Sequence, residues 1–349
     1  MPIMTKAKSR HRYTPVIILI GIVLAFLFVW GIGDSYLLST AETDSIQQQH
    51  DIDPASKPEK KKNHKLEVAW LMSFGGAGTS YTITNIETVT GRTTASNYGE
   101  DYDPCIPVYD DWLDGPFLRS PNTPAPEKYI LTKTHCGGYC MDCGPGAYYY
   151  ASEEDFLQGC LTGKKHVDGG SEIVTYDSSI PKRAVHLIRN PFDNLVGRMH
   201  LYNKHNDRHD SHSHYDTSIE GLQSWCKFLD DKYTESEKSY PILQEYKHVP
   251  CHGEWYKYIQ WHNMAYKAQN KLELPVHYLY YDHYSTQHEA AVDGVLEFLQ
   301  ESRRNDALPF LPGKTYRDIF TEKHIKAARK MTKALMKPKM WKLIKHYFD

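Results

Sequence analysis

Short apolar runs alternate along the chain with segments in which apolar residues recur every three or four positions. Runs of strand length lie at 66–72, 129–131, 184–188 and 276–280. Helical spacing of apolar residues marks 219–229 and 292–299. Apolar strands that alternate with amphipathic helices predict an α/β fold of three layers, with a central parallel sheet covered by helices on both faces.

An uncharged, mostly apolar run at 16–33 precedes this alternating region. As a helix it would span ~27 Å, about the thickness of one hydrocarbon core. Basic residues precede it at positions 6, 8, 10 and 12, with no acidic residue among them, and such charge stays on the cytoplasmic side of a membrane. We therefore predict a transmembrane signal anchor. A signal peptide cleaved near 39–41 is the alternative.

This prediction divides the chain into four parts. A cytoplasmic tail at 1–15 is followed by the transmembrane segment at 16–33, through which the protein would contact the lipid bilayer. Residues 34–65 are polar and lack periodicity, which is typical of a flexible stem. The folded domain, 66–349, would be lumenal. Because the apolar span is short and fits a thin early-secretory membrane, we expect a single-pass type II Golgi protein.

The net charge limits the kinds of binding partner, and the cysteine content predicts disulfides. The formal net charge is -2 over 349 residues, so no global field is directed at nucleic acid and any anion site must be local. The seven cysteines cannot all pair within one chain. In a secretory compartment we expect disulfides among Cys136, Cys140, Cys143 and either Cys105 or Cys160, in preference to a zinc site.

A polar stretch at 205–214 is rich in histidine and aspartate. Metal binding or pH sensing is one interpretation of it. Its spacing fits no metal-ligand pattern, so we expect a solvated loop or a rim of the acceptor site, and no metal is expected in this protein.

The first predicted strand runs into a glycine-rich loop at 73–81, which is followed by the start of a helix. Glycines let backbone N–H groups converge on a phosphate, and a helix N-terminus adds positive potential. We expect Thr79 and Ser80 to cap this helix. The residues predicted to bind phosphate are Gly75, Gly76, Ala77, Gly78, Thr79 and Ser80. A simple tight turn is the alternative.

The second predicted strand ends in Lys133 and His135, two residues on one face of the strand. At the carboxyl end of a parallel strand they would project into the ligand crevice. The imidazole could accept a proton from a hydroxyl group, and the lysine could stabilise charge on transferring oxygens. An exposed lysine beside a partly buried histidine, without a catalytic role, is the alternative.

The third predicted strand ends in Arg189, followed by Asn190, Pro191 and, two residues on, Asp193. Pro191 suits the first turn of a helix, and Asp193 complements the helix dipole. The Arg189 guanidinium could hold a phosphate through two parallel hydrogen bonds. A salt bridge to a carboxylate such as Asp193 is the alternative. The loop, the Lys-x-His pair and the arginine would thus meet at one edge of the sheet.

These motifs resemble the PAPS-dependent sulfotransferase family over most of 66–347. The loop at 73–81 is similar to the Pro-Lys-Ser-Gly-Thr-Thr-Trp loop that binds the 5′-phosphosulfate. The Lys-Thr-His sequence at 133–135 and the Arg-Asn-Pro-x-Asp element at 189–193 both match family motifs, and 280–282 resembles a late Arg-Tyr-Glu-Asp stretch. The membrane-bound branch associated with WSC domains is the most similar.

The resemblance implies a sulfuryl transfer from 3′-phosphoadenosine 5′-phosphosulfate (PAPS) to a hydroxyl acceptor on a carbohydrate, a glycoprotein or a tyrosine. It implies that His135 is the catalytic base, assisted by Lys133, and that Arg189 binds the 3′-phosphate. Two positions depart from the family pattern. Gly76 stands where many members carry a lysine, and Gly197 stands where many carry a serine on the 3′-phosphate. A missing hydrogen bond to a charged acceptor would cost about 1–3 kcal/mol.

Two other functions fit parts of the pattern. A catalytically inactive relative that binds glycans or nucleotides would explain the lysine missing at Gly76. A type II Golgi glycosyltransferase would share the anchor and stem, and the Asp-x-Asp sequence at 101–103 fits its metal motif, although that sequence lies in a proline-rich loop away from the predicted strands. A nucleotide kinase is disfavoured because Thr79, not lysine, follows Gly78.

Overall fold

The computed structural model describes residues 66–137, 152–208, 214–311 and 315–349. The predicted tail, anchor and stem lie outside these residues. Within them, no helix has the length and apolar character needed to cross a membrane.

A seven-stranded sheet forms the centre of the fold. Its strand order is β3-β4-β2-β5-β1-β8-β9. The strands are β1 (Glu67–Ser73), β2 (Ala95–Ser96), β3 (Ile106–Tyr109), β4 (Trp112–Leu118), β5 (Tyr129–Thr134), β8 (Pro181–Ile188) and β9 (Val276–Tyr280). A separate antiparallel hairpin consists of β6 (Thr162–Val167) and β7 (Gly170–Thr175).

Helices follow or connect most strands. They are α1 (Thr79–Thr90), α2 (Glu153–Leu161), α3 (Pro191–Arg208), α4 (Ile219–Tyr233), α5 (Pro241–Tyr246), α6 (His252–Lys271), α7 (His283–Thr286), α8 (His288–Leu299), α9 (Glu322–Leu335) and α10 (Pro338–Ile344). Ser152, Ser218 and Thr321 each accept a hydrogen bond from a backbone N–H three residues later. These side chains therefore cap α2, α4 and α9.

Both faces of the sheet are buried under helices. On β1, Trp70 and its neighbours two residues away belong to one core cluster with residues of α2, α3, α4 and α6. Leu71 points the other way and belongs to a second core cluster with residues of α1 and α8. Because side chains alternate along a strand and both faces are covered, the central strands must be apolar throughout. The predicted α/β fold with helices on both faces of a central sheet is confirmed, and the sheet is mostly parallel.

One edge of the sheet differs from the prediction. The strands β5, β1, β8 and β9 are parallel, at or close to the four predicted positions. However, β4 pairs antiparallel with both β2 and β3. Pro107 lies in β3, Pro116 lies in β4, and β2 has only two residues. The sequence therefore has no apolar run that marks this edge of the sheet.

Two disulfides stabilise the described residues. Cys136 is bonded to Cys160, which agrees with the expectation for the cysteines after His135. A second disulfide, between Cys226 and Cys251, was not predicted and joins α4 to the start of α6. Cys105 is not in a disulfide, while residues 140 and 143 lie outside the described ranges. Disulfides indicate an oxidising environment, either secreted or lumenal.

Candidate functional site

The carboxyl ends of three parallel strands meet at one edge of the sheet. Strand β1 pairs in parallel with β5 and with β8, so that Met72 lies beside Thr134, and Ser73 beside Leu187. The glycine-rich loop follows β1, His135 follows β5, and Arg189 follows β8. The fold therefore brings together the three motifs that the sequence predicted to meet.

The glycine-rich loop requires glycine at two positions. The φ angles of Gly76 and Gly78 are 82° and 99°, in the left-handed region that other residues rarely adopt. The N–H of Ala77 donates a hydrogen bond to the carbonyl oxygen of Phe74 at 3.1 Å, which closes the turn. The loop thus reverses direction tightly and delivers the chain to the first turn of α1.

The capping prediction for Thr79 and Ser80 was wrong. Gly78 is the N-cap residue of α1, and no side chain of the described residues makes the cap hydrogen bond. The Thr79 hydroxyl instead donates to Ser73 Oγ at 2.8 Å, and Ser80 is exposed in the first turn. Because glycine has no side chain, the first N–H groups of α1 lack a side-chain cap, which suits a helix terminus that binds an anion.

Arg189 and the helix that follows it, α3, hold the backbone of the glycine-rich loop in place. Arg189 Nη1 donates to the carbonyl oxygen of Gly76 at 2.7 Å, and Asn194 Nδ2 donates to that of Gly75 at 3.2 Å. A Cβ atom on Gly197 would lie 3.0 Å from Arg189 Nη1. The glycine at 197 therefore lets α3 approach Arg189 closely, and a serine there would crowd the guanidinium.

Tyr281 packs directly on the loop. A Cβ atom on Gly78 would lie 2.0 Å from a ring carbon of Tyr281. The Arg189 guanidinium lies 5.1 Å from the centre of the same ring, and the Tyr281 N–H donates to the carbonyl oxygen of Ile188. Tyr281 belongs to the stretch that resembles a late family motif, but its contact with the loop has no signal in the local sequence.

His135 is fixed on three sides. Its Nδ1 lies 2.7 Å from the carbonyl oxygen of Ser73, so Nδ1 carries the proton and Nε2 carries the lone pair of the neutral ring. Its backbone N–H donates to the Tyr98 hydroxyl at 3.0 Å. Trp261 Nε1 donates to its carbonyl oxygen at 2.9 Å. The Ser73 contact orients the ring and selects its tautomer, while the other two contacts fix the backbone of His135.

The environment keeps His135 neutral. The residue is only 5% exposed. Burial, followed by the positive charges of Lys133 and Arg198, lowers the pKa of His135 to about 3, although the hydrogen bond to Ser73 opposes the shift. Lys133 Nζ lies 5.3 Å from the centre of the Tyr98 ring, and this ring stacks on His135 at 5.8 Å. Lys133 and His135 therefore flank the same tyrosine.

A hydroxyl chain joins His135 to the loop. Ser73 Oγ lies 3.3 Å from His135 Nδ1 and accepts the hydrogen bond from Thr79. All three side chains are at most 7% exposed. The first turn of α1 and His135 are therefore linked by side-chain contacts through Ser73, so a movement of one should displace the other.

A buried ion cluster lies behind the loop and was not predicted. Arg198 Nε donates to Glu254 at 2.9 Å, and Lys257 Nζ donates to the other carboxylate oxygen. The charges of both cations outweigh burial and lower the pKa of Glu254. Arg198 also lies 5.2 Å from the Phe74 ring. A Glu-x-x-Lys spacing is typical of exposed helix surfaces, so nothing local predicted the cluster.

The Asp-x-Asp sequence lies closer to a strand end than the sequence suggested. Asp101 follows β2 by only a few residues, and its N–H donates to the carbonyl oxygen of Tyr98. In the described part of the chain, no group of three or more His, Cys, Asp or Glu side chains is placed to hold a metal ion. The side chains of the histidine-rich stretch at 205–213 lie outside that part.

Comparisons of this chain with protein-family models, with curated protein sequences and with solved structures find no match. The family resemblance therefore remains a prediction that rests on the residues themselves.

Proposed function

We propose that this protein transfers a sulfuryl group from PAPS to a hydroxyl group of an acceptor, a glycan or glycoprotein, in an oxidising lumenal compartment. The observation that carries the proposal is the meeting of the glycine-rich loop, His135 and Arg189 at one sheet edge. Two of these elements are joined directly, because Arg189 Nη1 bonds to Gly76 at 2.7 Å. A glycine-rich loop that leads into a helix N-terminus can hold a phosphate, a neutral imidazole can accept a proton, and a guanidinium can bind a second phosphate, so the three groups support such a transfer.

In the proposed reaction, His135 accepts the proton of the acceptor hydroxyl at Nε2 as the acceptor oxygen attacks sulfur. A new sulfur–oxygen bond forms, and the bond between sulfur and the oxygen of the 5′-phosphate breaks. Lys133 stabilises the charge on the sulfuryl oxygens, and the N–H groups at the start of α1 stabilise the departing phosphate. Arg189 holds the 3′-phosphate. Positioning by these groups supplies most of the rate enhancement.

The disulfides and the predicted anchor support the proposed compartment. The bonds at Cys136 and Cys226 belong to a protein that folds outside the cytosol. With an anchor at 16–33, the folded domain would face the Golgi lumen, where PAPS-dependent transfer to glycans takes place.

A second function is favoured by one specific observation. The pKa of His135 is lowered to about 3, so its imidazole has little affinity for a proton, and Gly76 stands where a lysine would assist the leaving group. A protein with this site could bind a 3′-phosphonucleotide without catalysing transfer. Nucleotide binding is common to both functions, whereas transfer distinguishes them.

Calorimetry with 3′-phosphoadenosine 5′-phosphate (PAP), the stable reaction product, tests the proposal. The full chain would be purified in a neutral detergent, beside the variants Arg189→Ala and Arg304→Ala. Arg304 is an exposed arginine near the far end of α1 and serves as the matched control. We expect wild type and Arg304→Ala to bind PAP equally well, and Arg189→Ala to bind about 10- to 100-fold more weakly.

Failure of the folded wild-type chain to bind PAP would overturn the proposed function. An equal loss of PAP affinity in the two arginine variants would show that PAP does not bind at Arg189. If the chain binds PAP but transfers no radiolabelled sulfate from PAPS to a glycoprotein fraction, the second function, nucleotide binding without catalysis, would replace the first.

A further inference from the structure

The C-terminal helices carry a concentrated positive charge. Between 322 and 349 the sequence has nine basic residues and two acidic ones, although the chain as a whole has a net charge of -2. We call these nine residues the C-terminal basic surface. They are Lys323, Lys326, Arg329, Lys330, Lys333, Lys337, Lys339, Lys342 and Lys345, and every one is exposed.

This surface rests on a fixed scaffold. On the opposite side of α9, Ile325, Ala328 and Met331 are at most 5% exposed and belong to the large core cluster. Because the apolar side is buried, the basic side must face solvent. Four lysines from Lys323 to Lys333 recur every three or four residues, so they form one line of charge about 15 Å long.

The positive charges are mostly not neutralised by the protein. Within the described ranges, Arg329 is the only member of the surface with an ion pair, to Asp349 at 2.8 Å. Lys339 lies 5.9 Å from the centre of the Tyr278 ring. Like charges three or four residues apart on a helix repel one another. A linear partner with repeated negative charges would relieve this repulsion along the whole line.

The nature of the partner follows from the compartment and from the buried apolar side. The disulfides place the protein in an oxidising environment, where the linear polyanions are acidic polysaccharides and not nucleic acids. A membrane surface fits poorly, because the apolar side of α9 is occupied by the core and anionic lipids are concentrated in the cytoplasmic leaflet. We infer that the C-terminal basic surface binds an anionic polysaccharide chain that carries sulfate or uronic acid groups.

This inference does not depend on the proposed sulfuryl transfer, because it uses none of the residues of the loop site. An acidic glycan on this surface could be the acceptor or a matrix that retains the protein. In either case the binding requires lysine side chains that are repeated along one line, and their removal should weaken it.

Fluorescence anisotropy with a labelled heparin dodecasaccharide tests the inference on the full chain in neutral detergent. The surface variant replaces Lys326, Lys330, Lys333 and Lys337 with glutamine. The control variant replaces four other exposed lysines with glutamine, namely Lys182, Lys227, Lys238 and Lys247. Both variants therefore lose four positive charges. We expect the Kd of the surface variant to rise at least about tenfold, since exposed charge pairs are individually weak but act together here, while the control stays within about twofold of wild type.

Thermal melting would show that both variants remain folded, because the changed side chains are exposed. Equal weakening in the two variants would overturn the inference, since only total charge would then matter. Absence of heparin binding by wild type would overturn it as well. Tighter binding to single-stranded DNA of equal charge, or to vesicles with phosphatidylserine, would replace the polysaccharide by that partner.

Discussion

Arg189 Nη1 donates a 2.7 Å hydrogen bond to the carbonyl oxygen of Gly76, a residue 113 positions earlier in the chain. Arg189, which is predicted to bind a phosphate, therefore also holds the backbone of the loop that is predicted to bind one. Its guanidinium lies against Tyr281, which in turn packs on Gly78. The loop, the arginine and the tyrosine form one interlocked group, so a change at any member should alter the others.

Replacement of Gly78 by alanine should destabilise the protein more than the same change at Gly169. Both residues have left-handed φ angles, 99° and 86°, and each substitution should cost about 1–2 kcal/mol in backbone strain. Only at Gly78 would the added Cβ meet a neighbour, the Tyr281 ring at 2.0 Å, whereas Gly169 has nothing within 4 Å. Overpacking should add about 1–3 kcal/mol. Urea unfolding measures both losses.

The double variant Gly78→Ala with Tyr281→Ala isolates the steric part. It should lose less stability than the sum of the two single variants. Equal destabilisation by the alanines at 78 and 169 would show that Tyr281 does not press on the loop.

The variant His135→Asn should retain PAP binding and lose transfer. Asparagine Nδ2 can replace the Nδ1 donor that bonds to Ser73, but no atom replaces the lone pair at Nε2. We expect the rate of sulfate transfer from PAPS to a glycoprotein fraction to fall at least about 100-fold. The variant His135→Gln keeps a polar group near Nε2 but loses the Ser73 bond, so it should also lose stability. Full activity in His135→Asn would exclude the imidazole as the base.

Removal of the two disulfides should separate stability from function. Cys136–Cys160 and Cys226–Cys251 close loops of nearly equal length, with sequence separations of 24 and 25. Replacement of either pair by serine should therefore cost about 3 kcal/mol. Because Cys136 follows His135 directly, only loss of the first disulfide should also reduce PAP affinity or transfer below the unfolding temperature. Identical effects on PAP affinity would show that the first disulfide has no special role at the site.

Stability should fall as pH rises from about 6.5 to about 9 because of His252. Burial opposes its charged form, but the carboxylates of Asp230 and Glu237, which lie against the two ring nitrogens, outweigh burial and raise the pKa of His252 to about 9. Since the folded-state pKa is the higher one, this contribution is fully present below pH 6.5 and is lost as pH rises through 9. The change should reach about 3 kcal/mol at most.

Denaturant unfolding over this pH range measures the effect. The variant His252→Gln should lose the slope, whereas His248→Gln, a change at an exposed histidine, should keep it. A wild-type stability that is constant between pH 6.5 and 9 would contradict the proposed ion pairs with Asp230 at 3.0 Å and Glu237 at 2.8 Å.

The sequence by itself determined the α/β class and the positions of the four central strands. Strands buried on both faces must be apolar throughout, and strands such as Val276–Tyr280 therefore stand out as continuous runs. It also determined that the loop, His135 and Arg189 would end up at one edge. This follows because each motif comes directly after one of these parallel strands, and their carboxyl ends share an edge.

Only the tertiary structure decided how these motifs contact one another and what surrounds them. Trp261 reaches His135 across 126 positions, and the Arg198–Glu254 pair joins helices 56 positions apart. The antiparallel β2–β4 pairing depends on the same kind of long-range packing. The spacing of apolar residues in a segment indicates whether that segment is a helix or a strand. It does not indicate which distant segment will pack against it, because that depends on the three-dimensional arrangement of the whole chain.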